Sequence, residues 1–370
     1  EHLHHGHKAL SPARVHRLEA IESPTRGLSL VRIDGFFPSV SPCGRFIAYN
    51  KSLPSPSSRD DTSSLGLYVM RSDGSKAWKL SDDGLFYTSW DPVREGVIYC
   101  IAGPIFAPAS ANVHVAALHF SLDLFTDEAE SVPSRTRILT EPGTGNNAFP
   151  APSPDGKWLV FRSGRDGGVS GKGKNLYVID AERGEAAEIR RLTCGDWVDT
   201  MPNWSPNGEW IVFSSTMDSS YGGEGFGLYM IRPDGTGLHR VTFEKSTGTL
   251  GEEEDVSVVH GRVNHAEFSP DSRHLVFTSD MAALSAEPIS LPNQFQPYGE
   301  IFVSRVDGSG LVRLTHNAYE DGTPTWTSTK IKLHHYSLPY GGPPFVASVG
   351  SEPLRGDFSE PLWLEASGKR

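Results

Sequence analysis

Four imidazoles fall within seven residues at the start of the chain, Glu1-His2-Leu3-His4-His5-Gly6-His7. Neutral imidazole nitrogens are borderline ligands that suit Cu(II), Zn(II) or Ni(II), although a flexible His-rich end also binds such ions without a built site. A second group follows the acidic run Glu252-Glu253-Glu254-Asp255, where His260 and His265 lead into an apolar stretch with Asn264 beside the second histidine. His265 with Asp199 or Asp321 nearby would favour copper or zinc over magnesium, and calcium held by carboxylates is the competing outcome. The expected metal ligands are thus His2, His4, His5, His7, His260 and His265, the expected ligand-binding residues Asp199, Asn264 and Asp321, and the expected cofactor a divalent metal. His334-His335 is a weaker pair, because neighbours on a strand face opposite ways and at most one can look inward.

Other chemistries are excluded on their spacing. Gly168 to Lys174 nearly spells a phosphate loop, but Asn175 stands where Ser or Thr is needed and a strand pattern follows instead of a helix. No Gly-x-Ser-x-Gly elbow occurs. Three cysteines cannot staple a framework; three free or buried thiols are expected, and if one pair is oxidised it should be Cys100 with Cys194. A net charge of -11 opposes nucleic-acid binding, which needs clustered Lys and Arg. No apolar run approaches the length of a membrane helix. The chain begins at Glu1, which fits a secreted or extracytoplasmic protein, and Asn50-Lys51-Ser52 then reads as a usable glycosylation site, whereas Asn203-Trp204-Ser205 on an inner strand does not.

The elements that must position these residues repeat. Phe149-Pro150-Ala151-Pro152-Ser153-Pro154-Asp155-Gly156 precedes Trp158-Leu159-Val160-Phe161, and the pattern returns around Pro42, Pro206 and Pro270, with weaker copies at Pro92 and Ser328. Positions 42, 92, 154, 206, 270 and 328 are 50, 62, 52, 64 and 58 residues apart, the length of a four-stranded blade with variable loops. A second half-motif, such as Leu228-Tyr229-Met230-Ile231 turning at Pro233-Asp234-Gly235, follows each clear copy, and Asp-Gly between apolar runs marks a hairpin. Each repeat is therefore two hairpins, strands a to d. The 38 glycines and 27 prolines are turn residues of such a fold.

Six units of this kind predict an all-β, six-bladed β-propeller of four-stranded antiparallel blades. The expected organisation is a His-rich extension over 1–26, the propeller over 27–336, closed by an N-terminal strand from Leu28 to Ile33, and a tail over 337–370 packing on it. The Ser-Pro-Asp-Gly and Leu-Tyr-x-x-x-x-Asp-Gly motifs resemble the TolB-like propeller repeats, related to the propeller of dipeptidyl-peptidase-IV-type enzymes. The stretch after residue 330 is shorter than a hydrolase domain, so the resemblance does not carry peptidase activity to this chain.

Aligning the copies puts Phe37, Tyr87, Phe149, Met201, His265 and Thr323 at one position of strand a, the strand nearest the channel. The a-b and c-d turns share one face and are mostly short. The b-c and d-a connections share the other and carry insertions at Ser52 to Ser64, Thr216 to Gly225, Phe243 to Val263 and Asp280 to Gly299. Function concentrates in long loops on rigid scaffolds. The expectation is a monomeric propeller binding a protein, glycan or small-molecule ligand, with a metal ion, at this long-loop face and channel. The alternative is a metal-dependent lyase or oxidoreductase with channel-facing histidines.

Overall fold

The computed structural model describes residues 18–21, 28, 30–33, 35–51, 66–104, 110–167, 173–218, 225–243, 262–281, 299–315 and 322–328. A small antiparallel sheet, β1 (Leu18–Ile21) and β2 (Leu30–Ile33), comes first. Five four-stranded antiparallel blades follow, each in simple chain order from inner to outer strand. Blade 1 is β3 (Phe36–Val40), β4 (Phe46–Asn50), β5 (Leu67–Arg71) and β6 (Ala77–Ser81). Blade 2 is β7 (Leu85–Trp90), β8 (Val97–Ala102), β9 (His114–Phe120) and β10 (Ser134–Ile138). Blade 3 is β11 (Ala148–Pro152), β12 (Trp158–Ser163), β13 (Asn175–Asp180) and β14 (Gly184–Arg191). Blade 4 is β15 (Asp199–Trp204), β16 (Ile211–Ser215), β17 (Gly227–Ile231) and β18 (His239–Arg240). Blade 5 is β19 (Val263–Phe268), β20 (His274–Ser279), β21 (Glu300–Arg305) and β22 (Val312–Arg313).

The repeated motif builds the a-b turn by local chemistry. In blade 3 the Ser153 hydroxyl accepts the Trp158 amide at 3.0 Å, Asp155 accepts the Lys157 amide at 3.1 Å, and Gly156 takes φ +69°. Ser41, Ser205 and Ser269 make the same hydroxyl bond to Phe46, Trp210 and His274. A left-handed residue is needed to close this turn, which is why glycine is favoured there. Blade 2 lacks the motif and substitutes a carboxylate: Asp91 accepts the Val93 and Arg94 amides, and also binds the Arg94 guanidinium and the Tyr99 hydroxyl at 2.7 Å.

Apolar residues alternate along these strands, so each blade presents an apolar face to its neighbour. Phe46, Val69 and Trp78 of blade 1 pack with Ile98, Cys100 and Leu118 of blade 2, and comparable clusters join blades 2 with 3, 3 with 4 and 4 with 5. Full burial of a side chain such as Phe213 or Phe277 is worth about 2–3 kcal/mol each.

Three expectations need correction. Six blades were expected and five are formed. In the sixth sector only the inner segment 322–328 is described, without strand pairing, and 329–336 lie outside the described residues. Among the described residues the strand over Leu30–Ile33 pairs with Leu18–Ile21 and with no blade strand, and β1 falls inside the stretch expected as an extension. Among the described residues, however, Leu28 and Trp326 pack on blade 5 while Ile33 packs on blade 1, so both flanks of the sixth sector are covered. The third correction is Asn50. It is fully buried, donates to Gly66 and Leu85 carbonyls and accepts the Tyr87 amide, so it joins blades 1 and 2 and cannot carry a glycan.

Candidate functional site

The innermost strands share one irregularity. In each blade two residues of strand a face one residue of strand b: Phe37-Pro38, Tyr87-Thr88, Phe149-Pro150, Met201-Pro202 and His265-Ala266 are the bulged pairs. The first residue of every pair has positive φ, between 50° and 63°, and Thr323 of the sixth sector joins them at 51°. These six are the residues aligned from the sequence. Positive φ costs a non-glycine residue of order 1 kcal/mol or more, so the bulge is held by its surroundings and turns these side chains to the axis.

They form a plug. The Phe37 ring lies 5.7 Å from Tyr87 and 5.9 Å from His265, and Tyr87 meets Phe149 edge-on at 5.3 Å. Phe37, Phe149 and Met201 belong to one buried cluster. His265 is therefore part of the channel floor.

On the short-turn side of the plug lies a cavity of about 280 Å3. Two positions beyond the plug, the strands contribute Ser39, Ser89, Asn203, Glu267 and Thr325 to its wall. Glu267 is the one carboxylate among the described lining residues, and no Lys or Arg is among them. Its Oε1 accepts the Thr325 hydroxyl at 3.3 Å and the Trp326 amide at 3.4 Å, long contacts that satisfy a carboxylate weakly. Burial lifts its carboxyl to about 7, against the lowering effect of these two donors. Glu267 lies deep within the molecule yet keeps some contact with channel solvent.

On the long-loop side the chemistry is reversed. Arg162, on β12, lies over the Phe149 ring at 4.9 Å and donates to Asn146 Oδ1 at 2.6 Å and Thr200 Oγ1 at 3.2 Å. Burial depresses it to about 10, and burial together with the Arg162 charge depresses Lys174 to about 7. Among the described residues no carboxylate pairs with Arg162.

The expected site residues are distributed unevenly. Asn264 is fully buried one residue before the plug, with neither amide atom hydrogen-bonded among the described residues. Asp199 is fully buried too. Burial raises its carboxyl, while Thr193 at 2.6 Å, Trp197 at 3.2 Å and Asn175 at 3.3 Å donate to its Oδ2 and tie blade 3 to blade 4. Asp321, His2, His4, His5, His7 and His260 lie outside the described residues, as does most of the long-loop face. Among the described residues no three His, Cys, Asp or Glu side chains lie close enough to share a metal ion. Cys43, Cys100 and Cys194 are free thiols, and burial pushes Cys100 up to about 12. Sequence reasoning missed Glu267 and Arg162. The signal for Glu267 was present, since the position two past the plug reads Ser, Ser, Ala, Asn, Glu, Thr around the ring.

No family model matches the chain. Among curated proteins, 159 residues are 31% identical to the uncharacterized peptidase YuxL of Bacillus subtilis, over 38% of this chain and 22% of that protein. A further 131-residue match is 27% identical to the uncharacterized protein Atu1656 of Agrobacterium fabrum, over 35% of this chain and 36% of that protein. The matched stretches thus span well under half of either relative. Among solved structures, a putative TolB from Agrobacterium tumefaciens superposes with a TM-score of 0.51 at 16% identity, over 80% of this chain and 89% of that one. TolB from Acinetobacter baumannii gives 0.47 at 16% identity, over 73% and 52%. At such identity the likeness speaks of fold. No helix among the described residues is long and apolar enough to cross a membrane. The motifs, the blade topology and the structural likeness agree that this chain has the TolB-like β-propeller fold.

Proposed function

We propose that the protein is a binding module, with a small ligand or partner segment engaging the central channel of a TolB-like propeller in an extracytoplasmic setting. The observation that carries this reading is the closed-floored channel cavity with one carboxylate and no cationic side chain among its described lining. Concave sites with a few convergent polar groups are where ligands bind. The same reading takes the ring as six sectors. Thr323 repeats the bulge conformation, and the Trp326 indole donates to the Glu267 carbonyl at 3.2 Å as the Trp90 indole donates to the Ser39 carbonyl at 3.0 Å. The N-terminal segment then completes the sixth sector between blades 5 and 1.

A small-molecule library screened by ligand-observed NMR tests the reading. Hits should lose their signal in a Ser89→Phe variant, whose ring fills the cavity; hits indifferent to that change would sink it. The competing reading is a metal-dependent lyase or oxidoreductase, motivated by an imidazole in an otherwise mostly apolar plug. It requires that copper, zinc or calcium stay bound after metal-free purification and reloading, and that His265→Ala or deletion of residues 1–7 release it.

A further inference from the structure

We propose that the short-turn chamber selects a small organic ammonium ion, its nitrogen against Glu267 and its alkyl groups against Phe37, Tyr87 and Trp90. This rests on the reading of the channel as the ligand site. Glu267 is one half of an ion pair whose other half is missing among the described residues. A carboxylate withdrawn from bulk water is retained at a cost unless a cation or strong donors meet it. Among the described residues Glu267 has two long hydrogen bonds and no Lys, Arg or His within salt-bridge distance. Its charge is felt across the chamber by Tyr87, whose hydroxyl is pushed up by burial and by Glu267.

The remaining wall fits the alkyl face of an ammonium ion. Aromatic faces attract cations and tolerate their methyl or methylene groups at no desolvation cost. Phe37, Tyr87 and Trp90 all line the chamber, with Ser39, Ser89 and Asn203 left to hydrogen-bond N–H groups or retained water. A volume of about 280 Å3 admits a small amine and excludes a bulky ligand. An anion would face Glu267 with no Lys or Arg among the described lining to compensate. A neutral ligand would leave that carboxylate as poorly partnered as before.

The test is calorimetric titration of the full chain with butylammonium, tetramethylammonium, 1-butanol, butyrate and calcium chloride, after removal of metal. The ammonium ions should bind at least about tenfold more tightly than 1-butanol, and butyrate should not bind. Glu267→Gln should weaken the ammonium ions at least about tenfold and leave 1-butanol unchanged. Glu267→Asp, which keeps the charge at shorter reach, should fall between. The parent's preference for butylammonium over 1-butanol decides the matter even if neither variant folds. Nα-acetyl-lysine amide separates two sources of the same chemistry: binding tighter than butylammonium assigns the ammonium to a partner's lysine, weaker binding to a free amine.

Equal affinity for butylammonium and 1-butanol, or an unchanged affinity in Glu267→Gln, would overturn the ammonium assignment while leaving the channel as a site. Butylammonium binding that survives Ser89→Phe would instead overturn the channel reading itself. Failure of both ammonium ions to bind at about 10 mM, or binding of calcium alone, would also end the proposal.

Discussion

The two sides of the channel plug are built from the same repeated strand and have opposite electrostatics. Among the described residues Glu267, on the short-turn side, has no cation beside it, whereas on the long-loop side Lys174 feels the Arg162 charge and Arg162 has amide and hydroxyl partners rather than a carboxylate. The plug that separates them is continuous, and Phe149 touches both sides, through Tyr87 on one hand and the Arg162 guanidinium on the other. The lesson is that blade repetition fixes the backbone while single substitutions at equivalent positions give each mouth its own charge.

Breaking the wall should have the largest effect. Phe149→Ala removes a buried ring and the surface on which Arg162 lies, and should cost about 3–5 kcal/mol in denaturant titration. A loss below about 1 kcal/mol would mean that the plug is not part of the core. Next, Arg162→Ala should cost about 2–3 kcal/mol through lost packing and two lost hydrogen bonds, whereas Arg162→Met should cost less than half of that, since it relieves a buried charge. Equal costs would show that the charge itself is compensated.

The pH profile sharpens the contrast further. Glu267 rises from an ordinary 4.5 to about 7 in the folded protein, so the native state holds its proton longer and stability falls as pH rises between these values. Lys174 falls from 10.5 to about 7, so its penalty is complete below about 7 and is relieved as pH rises toward 10.5. The two groups therefore give slopes of opposite sign in adjoining windows. Glu267→Gln should flatten the acidic limb and stabilise the protein near pH 8 by about 1–2 kcal/mol, less than full burial would give because channel water screens the site. Lys174→Met should flatten the alkaline limb. Thermal melts of the three proteins from pH 4.5 to 10 decide this, and parallel curves would remove the contrast. The smallest effect belongs to His265→Phe, which repeats the residue at two other plug positions and should change stability by less than about 1 kcal/mol if His265 serves as floor. A larger loss, with loss of bound metal, would move His265 from floor to ligand.

Much of this was legible in the sequence because it is written locally. Ser153, Asp155 and Gly156 close a turn using only their own neighbours, so four copies announce four blades, and aligning them is enough to find the plug from Phe37 to Thr323. What the sequence hid depends on partners far along the chain. Strands β9 and β10 lack an Asp-Gly turn, so the outer half of blade 2 had no signal of its own. Asn50 looks like a glycan acceptor until blade 2 is laid against it. Arg162 follows an apolar run on β12, and only its contact with Thr200 of the next blade turns it toward the channel. Glu267 differs from its counterparts by one residue, and only the assembled channel shows that no Lys or Arg stands among its described neighbours in the chamber wall. The N-terminal segment offered one apolar run as a closing strand, and its pairing with Leu18–Ile21 had no signal of its own in the sequence.

The plug also sets a rule of traffic. With Phe37, Tyr87, Phe149 and His265 in ring contact, the described channel is floored between its two mouths, so the short-turn chamber is a cup rather than a conduit. Whatever enters the short-turn chamber leaves by the door it came through. A partner docked over the a-b turns would then act as a lid, lengthening the ligand's residence in proportion to its own, with no movement of the blades.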